Sequence, residues 1–199
     1  MKYEEFLGRS HFTKEELLAM AYGSCLEDVT DTEVSYLPAP PMLMLDRVTA
    51  VTHDGPRGRI IAEKDVRIDD WFFQCHFRAD PVQPGCLGVD AVWQLLGLYC
   101  ALRGARGIGR ALGCKEVDFF GQIRPHDDVI RFEVDVRRYA AIKSTGTGVV
   151  VGNAAVFVND EHIYSITGAK VGTFTGLRYD DYPHRSRNSR GGIVRTGDH

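Results

Sequence analysis

No run of about eighteen consecutive apolar residues occurs in this 199-residue chain, so no membrane insertion is expected. Charge of one sign is also missing. The 24 Lys and Arg nearly balance the 27 Asp and Glu, and a net charge of −3 gives no basic field to suggest a nucleic acid partner. Cysteines are few. Cys25, Cys75, Cys86, Cys100 and Cys114 are odd in number and scattered, mostly in apolar sequence. That pattern argues against a disulfide framework and for free thiols in a reducing, cytoplasmic setting. The opening MKYEEFLGRSHFTKEELL is too polar and acidic for a secretory signal. There is no internal repeat.

What remains is an ordinary globular composition, 44% hydrophobic and 26% charged, in a chain long enough to bury a real core. Thr13-Lys14-Glu15-Glu16 reads as a capping box opening a helix over 13–22, ending near Gly23. The segment LPAPP at 37–41 excludes regular structure, because proline fixes φ and removes backbone donors. Strands are expected over 42–51, 59–68, 111–123, 129–139, 147–159 and 162–174, the last two joined by a hairpin turn at Asn159-Asp160-Glu161. Residues 85–102 read as a helix of about five turns, apolar on nearly every side and therefore surrounded by protein. The glycine- and arginine-rich stretch 103–110 reads as a loop and lacks the Gly-Lys-Ser/Thr ending of a phosphate-binding loop. One long buried helix with several long strands makes an α+β domain, an antiparallel sheet curled around that helix, over residues 1–175. Residues 176–199 read as a polar, arginine-containing tail.

The chemistry concentrates between Trp71 and Gln94, in WFFQCHFRADPVQPGCLGVDAVWQ. Asp90 lies five residues past the start of the apolar helix, too far in to cap it, and Gln94 shares its face. A carboxylate in apolar surroundings is disfavoured, so a neutral proton-donating Asp90 is the expectation; a solvent-facing aspartate is the alternative. His76, among Trp71, Phe72, Phe73 and Phe77, is suited to removing a weakly acidic C–H proton, although a histidine among aromatics is also a common core residue. Gly85 follows Pro84 at the helix start, where unpaired N–H groups at the positive end of the macrodipole can polarise a carbonyl. Cys75, His76 and Cys86 match no zinc spacing and have no evident fourth ligand, so no metal is expected.

With PAPPMLMLDRV (38–48), WFFQCHF (71–77), DPVQPGCLGVDAVWQL (80–95) and RALGCKEVDFFGQIRP (110–125) in view, and fainter AKVGTF (169–174), the chain resembles the bacterial bifunctional 3-hydroxydecanoyl-[acyl-carrier-protein] dehydratase/isomerase family. The resemblance implies a hot-dog fold, with a homodimer whose two active sites lie at the subunit interface. It implies His76 as catalytic base, Asp90 of the other protomer as acid, and the Gly85 N–H as donor to the thioester carbonyl. Gln94 would orient Asp90, and Val82 and Pro84 would line the mouth of the acyl tunnel. Acyl carrier protein is the implied partner, and no cofactor is implied beyond its phosphopantetheine. The aspartate at 90, where dehydration-only relatives carry glutamate, favours the bifunctional branch of unsaturated fatty acid biosynthesis. Gln74 replaces an expected small residue and adds bulk near the base. Alternatives are a hot-dog dehydratase of a polyketide or polyunsaturated fatty acid pathway without isomerase activity, a thioesterase of that fold, and a non-catalytic acyl-carrier-binding module.

Overall fold

A computed structural model of the chain describes residues 1–29, 34, 37–142 and 144–176; the tail, from residue 177, lies outside the described residues. Seven strands form one antiparallel sheet: β1 (Arg47–Asp54), β2 (Arg57–Asp65), β3 (Ile108–Gly113), β4 (Glu116–Phe119), β5 (Val129–Ile142), β6 (Thr147–Val158) and β7 (Glu161–Phe174). Their order is β1-β2-β5-β6-β7-β3, with β4 following β3 along the same edge of β7. Helices α1 (Tyr3–Leu7) and α2 (Lys14–Ala21) precede the sheet, and α3 (Gly85–Leu102) packs on its concave face against β7, β6, β5 and β2. This is the hot-dog fold, a sheet wrapped around one long helix.

The helix is buried because the sheet offers it small residues. On β6 burial alternates strictly, and its inward positions include Gly148, Val150, Gly152, Ala154, Val156 and Val158. A Cβ on Gly152 would stand 3.1 Å from the Leu96 side chain. In the other direction Gly88 of α3 lets Tyr164 of β7 reach the helix backbone, since a Cβ there would lie 1.5 Å from the tyrosine hydroxyl. Ala91, Val92, Leu95, Leu96 and Tyr99 are buried against Ile60, Phe132, Val134, Val156 and Ile166. By length and a mean hydropathy of 1.4, α3 qualifies as a membrane-crossing helix, but 72% of it is buried inside this fold. It is the core helix.

The capping box at α2 is formed: the Thr13 Oγ1 accepts from Glu16 N–H and the Glu16 carboxylate accepts from Thr13 N–H. The β6–β7 turn is also as expected, with Asn159 and Asp160 both at positive φ, 48° and 68°. Other expectations need correction. Residues 108–110 are not loop but the start of β3: Gly107, at φ 94°, turns the chain onto β7, and Ile108 pairs with Phe174. The expected strand 111–123 is broken at Gly113, φ 122°, into β3 and β4, and 120–123 is irregular. The strand expected over 42–51 begins only at Arg47, because the Met42 carbonyl and Met44 N–H are bonded to the Gln94 side chain of α3 rather than to a neighbouring strand. The short helix α1 and a 3-10 turn at Trp71–Gln74 were not anticipated.

A buried carboxylate ties α2 to this framework. Asp46, 4% exposed, ion-pairs with Lys14 at 2.5 Å and Arg67 at 3.4 Å and accepts from Asp65 N–H at 2.9 Å. Burial pushes this carboxyl up, but Lys14, the Asp65 N–H and the Lys64 charge outweigh it and hold it below the usual carboxylate range. Asp46→Asn should therefore cost about 1–3 kcal/mol at neutral pH. A depressed folded-state pKa stabilises above the unfolded value and loses that stabilisation as pH falls through the folded one, so urea midpoints of wild type and variant should converge below about pH 4.

Candidate active site

The segment carrying His76 is fixed from both sides by backbone bonds. Phe72 and Phe73 of the 3-10 turn are buried, and the Phe72 carbonyl accepts from His76 N–H at 2.8 Å. The His76 carbonyl in turn accepts from Val82 N–H at 2.8 Å. On the ring, Nδ1 lies 3.0 Å from the Val82 carbonyl oxygen. A carbonyl only accepts, so Nδ1 carries the proton and Nε2 is left as the basic nitrogen. Val82, expected only to line a tunnel, thus sets the histidine's tautomer through its main chain. No side-chain pattern could have announced that.

His76, Val82, Pro84 and Gly85 line one cleft of about 820 Å³, walled on the far side by Phe119 and Tyr164. Gly85 is the first residue of α3, and its N–H has no acceptor among the described residues. A Cβ at this position would lie 2.6 Å from the Phe119 ring, so glycine is what allows ring, helix start and cleft to coexist. A polarisable oxygen docked here would meet an unpaired N–H at the positive end of an eighteen-residue helix, beside an imidazole with a free basic nitrogen. Gln74 is not part of this space. It is exposed, its Nε2 donates to the Ile68 carbonyl at 3.1 Å, and the bulk anticipated beside the base lies elsewhere.

Asp90 and Gln94 open into a separate cavity of about 240 Å³, shared with Met42, Trp93 and Gly97. Within one chain the structure does not bring His76 and Asp90 into the same cavity. Gln94 is buried and fully used: Nε2 donates to Asp90 Oδ2 at 2.6 Å and to the Met42 carbonyl at 2.7 Å, while Oε1 accepts from Met44 N–H at 3.0 Å. The acceptor role toward Met44 fixes which end of the amide is oxygen, and so fixes an N–H on Asp90. Asp90 itself is half-buried. Cys86, Asp90, Trp93 and Gly97 form an incompletely covered stripe along α3, which is therefore not surrounded on every side by its own chain.

The five cysteines are free, and burial pushes the Cys100 thiol up to about 12. Among the described residues no cluster of three or more His, Cys, Asp or Glu could hold a metal, and Cys75, His76 and Cys86 do not converge. Residues 37–167, which carry both cavities' central residues, match the FabA-like domain family. The chain belongs to the FabA-like domain family. Similar solved structures include the dehydratase heterocomplex ApeI:P from Xenorhabdus doucetiae, 14% identical, covering 68% of this chain and 84% of that one with a TM-score of 0.46. The E. coli PaaI protein from the phenylacetic acid degradation operon is 13% identical over 65% of this chain and 78% of its own, TM-score 0.44. A hypothetical thioesterase with coenzyme A from Streptococcus pneumoniae is 12% identical over 63% and 85%, TM-score 0.44. The FabA-like domain contains every candidate site residue and leaves α1 and α2 outside it.

Gln94→Leu leaves the Met42 carbonyl and Met44 N–H of this domain unpaired in a buried place. It should lower stability by about 1–3 kcal/mol, read from urea unfolding.

Proposed function

We propose that this FabA-like domain dehydrates (3R)-3-hydroxyacyl-[acyl-carrier-protein] of about ten carbons to the trans-2-enoyl thioester, and isomerises that product to the cis-3-enoyl form, in unsaturated fatty acid biosynthesis. The observation that carries the reading is a histidine with Nδ1 capped by a carbonyl and Nε2 free, in one cleft with the unpaired Gly85 N–H. The thioester oxygen docks on Gly85. Nε2 of His76 takes a C2 proton, and the electron pair shifts onto the carbonyl oxygen, where the N–H and helix start stabilise it. As the pair returns to form the C2–C3 double bond, the C3 hydroxyl leaves with a proton from Asp90, as water. For isomerisation the pair takes a proton from C4 and returns one to C2. Proton transfer beside a polarised carbonyl is the whole of this chemistry, and no cofactor enters it.

The acid comes from a second copy of the chain. Two features support a homodimer with shared sites: His76 and Asp90 lie in separate cavities of one protomer, and Asp90 sits on the incompletely covered stripe of α3. Exposed Ile108, Leu112, Phe119 and Phe120 on and beside the edge strands β3 and β4 supply apolar surface for that contact.

His76→Ala and Asp90→Asn should each fold normally and lose dehydration by about a hundred- to ten-thousand-fold; near-native rates in either sink the assignment. Mixing the two inactive variants under subunit exchange should restore roughly a quarter of wild-type activity, because half the dimers are mixed and each of those has one intact site. Sites contained within one chain would recover nothing. Mass spectrometry of products from 3-hydroxydecanoyl carrier protein tests the isomerase step: a cis-3-enoyl product is expected, and trans-2-enoyl alone removes that part of the reading.

A further inference from the structure

Three of the seven buried side-chain polar atoms without a hydrogen-bond partner among the described residues belong to two residues of the His76 cleft. Gln83 is 6% exposed, and both Oε1 and Nε2 are orphaned; Tyr164 is 2% exposed, and its hydroxyl is orphaned. Neither is there by default. Gln83 is held by its backbone, whose N–H donates to the Ile123 carbonyl at 2.9 Å, between the residue that sets the His76 tautomer and the Pro84-Gly85 helix start. Tyr164 reaches α3 only because position 88 is glycine. Burial also pushes its phenol up, so the orphan is a neutral hydroxyl able both to donate and to accept. The contrast with Gln94, whose amide makes three bonds eleven residues on, shows that this fold can satisfy a buried carboxamide.

A donor, an acceptor and a hydroxyl are already closed off from water here, and a saturated hydrocarbon chain in the cleft would leave them with nothing to bond, which native structures avoid. An oxygen on the chain removes the conflict. A hydroxyl can donate to Oε1 and accept from Nε2 or from the tyrosine; a carbonyl can accept from Nε2 and the tyrosine together, and leaves only Oε1 unanswered. The pantetheine arm is a poorer match. The arm must lead out toward the carrier protein, whereas these groups are sealed inside. We propose that the cleft selects 3-hydroxyacyl thioesters bearing a further hydroxyl or carbonyl group beyond C3, recognised by Gln83 and Tyr164. This rests on the dehydratase reading for the reaction at C2 and C3, and adds the class of chain on which that reaction is run.

The test compares 3-hydroxydecanoyl-pantetheine with analogues carrying one keto or hydroxyl group at each carbon from C5 to C9. Wild type should favour at least one oxygenated analogue about tenfold or more in kcat/KM, a difference of about 1.4 kcal/mol in transition-state binding. Gln83→Met, of similar length and apolar, should abolish that preference and improve the plain chain; Tyr164→Phe should reduce it. Preference for the plain chain at every position overturns the proposal. So does an unchanged ratio in Gln83→Met, which is the result if the orphans hold only an ordered water. Equal loss on both substrates, or a change of assembly mass without a change of ratio, also overturns it, since the amide would then serve the reacting hydroxyl or a subunit contact. Calorimetry with saturated acyl-pantetheine amides, plain and oxygenated, separates the two readings. If no thioester is dehydrated but oxygenated amides bind more tightly and lose that advantage in Gln83→Met, the dehydratase reading fails and the recognition stands.

Discussion

Close approach between α3 and the sheet is the constraint on which the rest of this structure depends. Glycines on both sides make it possible: Gly152 of β6 under Leu96, Gly88 of α3 over Tyr164, and Gly58 of β2 against the Tyr99 hydroxyl. With a Cβ at these points the helix would ride higher on the sheet. Its first turn would then no longer share a cleft with His76, because Gly85 and the histidine segment are joined only by the short irregular run 77–84. Depth of packing and position of the site are therefore one property.

Orientation in both halves of the site comes from groups that do no chemistry. On one side a main-chain carbonyl assigns the imidazole proton; on the other an amide locked by two backbone groups assigns an N–H to the carboxylate. Each device removes a rotational choice before any substrate arrives, which is where positioning contributes most to rate. The irregular proline-rich approach to Met42–Leu45 gains its purpose here. Its backbone is not paired into the sheet, so the Met42 carbonyl and Met44 N–H remain available to hold Gln94.

Local signals were readable in the sequence and tertiary decisions were not. The bounds of α3, the capping box at Thr13 and the turn at Asn159-Asp160 rest on interactions within a few residues, and the structure repeats them. The division of 111–123 into β3 and β4 depends on Gly113 taking a positive φ while both pieces pair with β7, forty-five or more residues on, and apolar periodicity carries no trace of that. The same limit applies at the site. His76, Gly85, Asp90 and Gln94 stand out by residue type and spacing. Val82 acts through its carbonyl, and Phe119 and Tyr164 come from strands distant in the chain.

Gln83 shows why a polar residue can pass unnoticed in a motif that draws attention to its neighbours. In sequence a glutamine between valine and proline reads as loop, and its usual fate in a loop is solvent. Its backbone bond to Ile123 and the packing around Pro84 instead turn the side chain inward, where the apolar walls of Phe119 and Ile163 can offer it nothing. A core under selection for stability alone would replace such an amide with an apolar residue of the same length, since two unpaired polar atoms in a dry place oppose folding. Retaining it is reasonable only where the deficit is made good by what the cleft holds. A binding site differs from a core in this respect, because its complement arrives with the ligand.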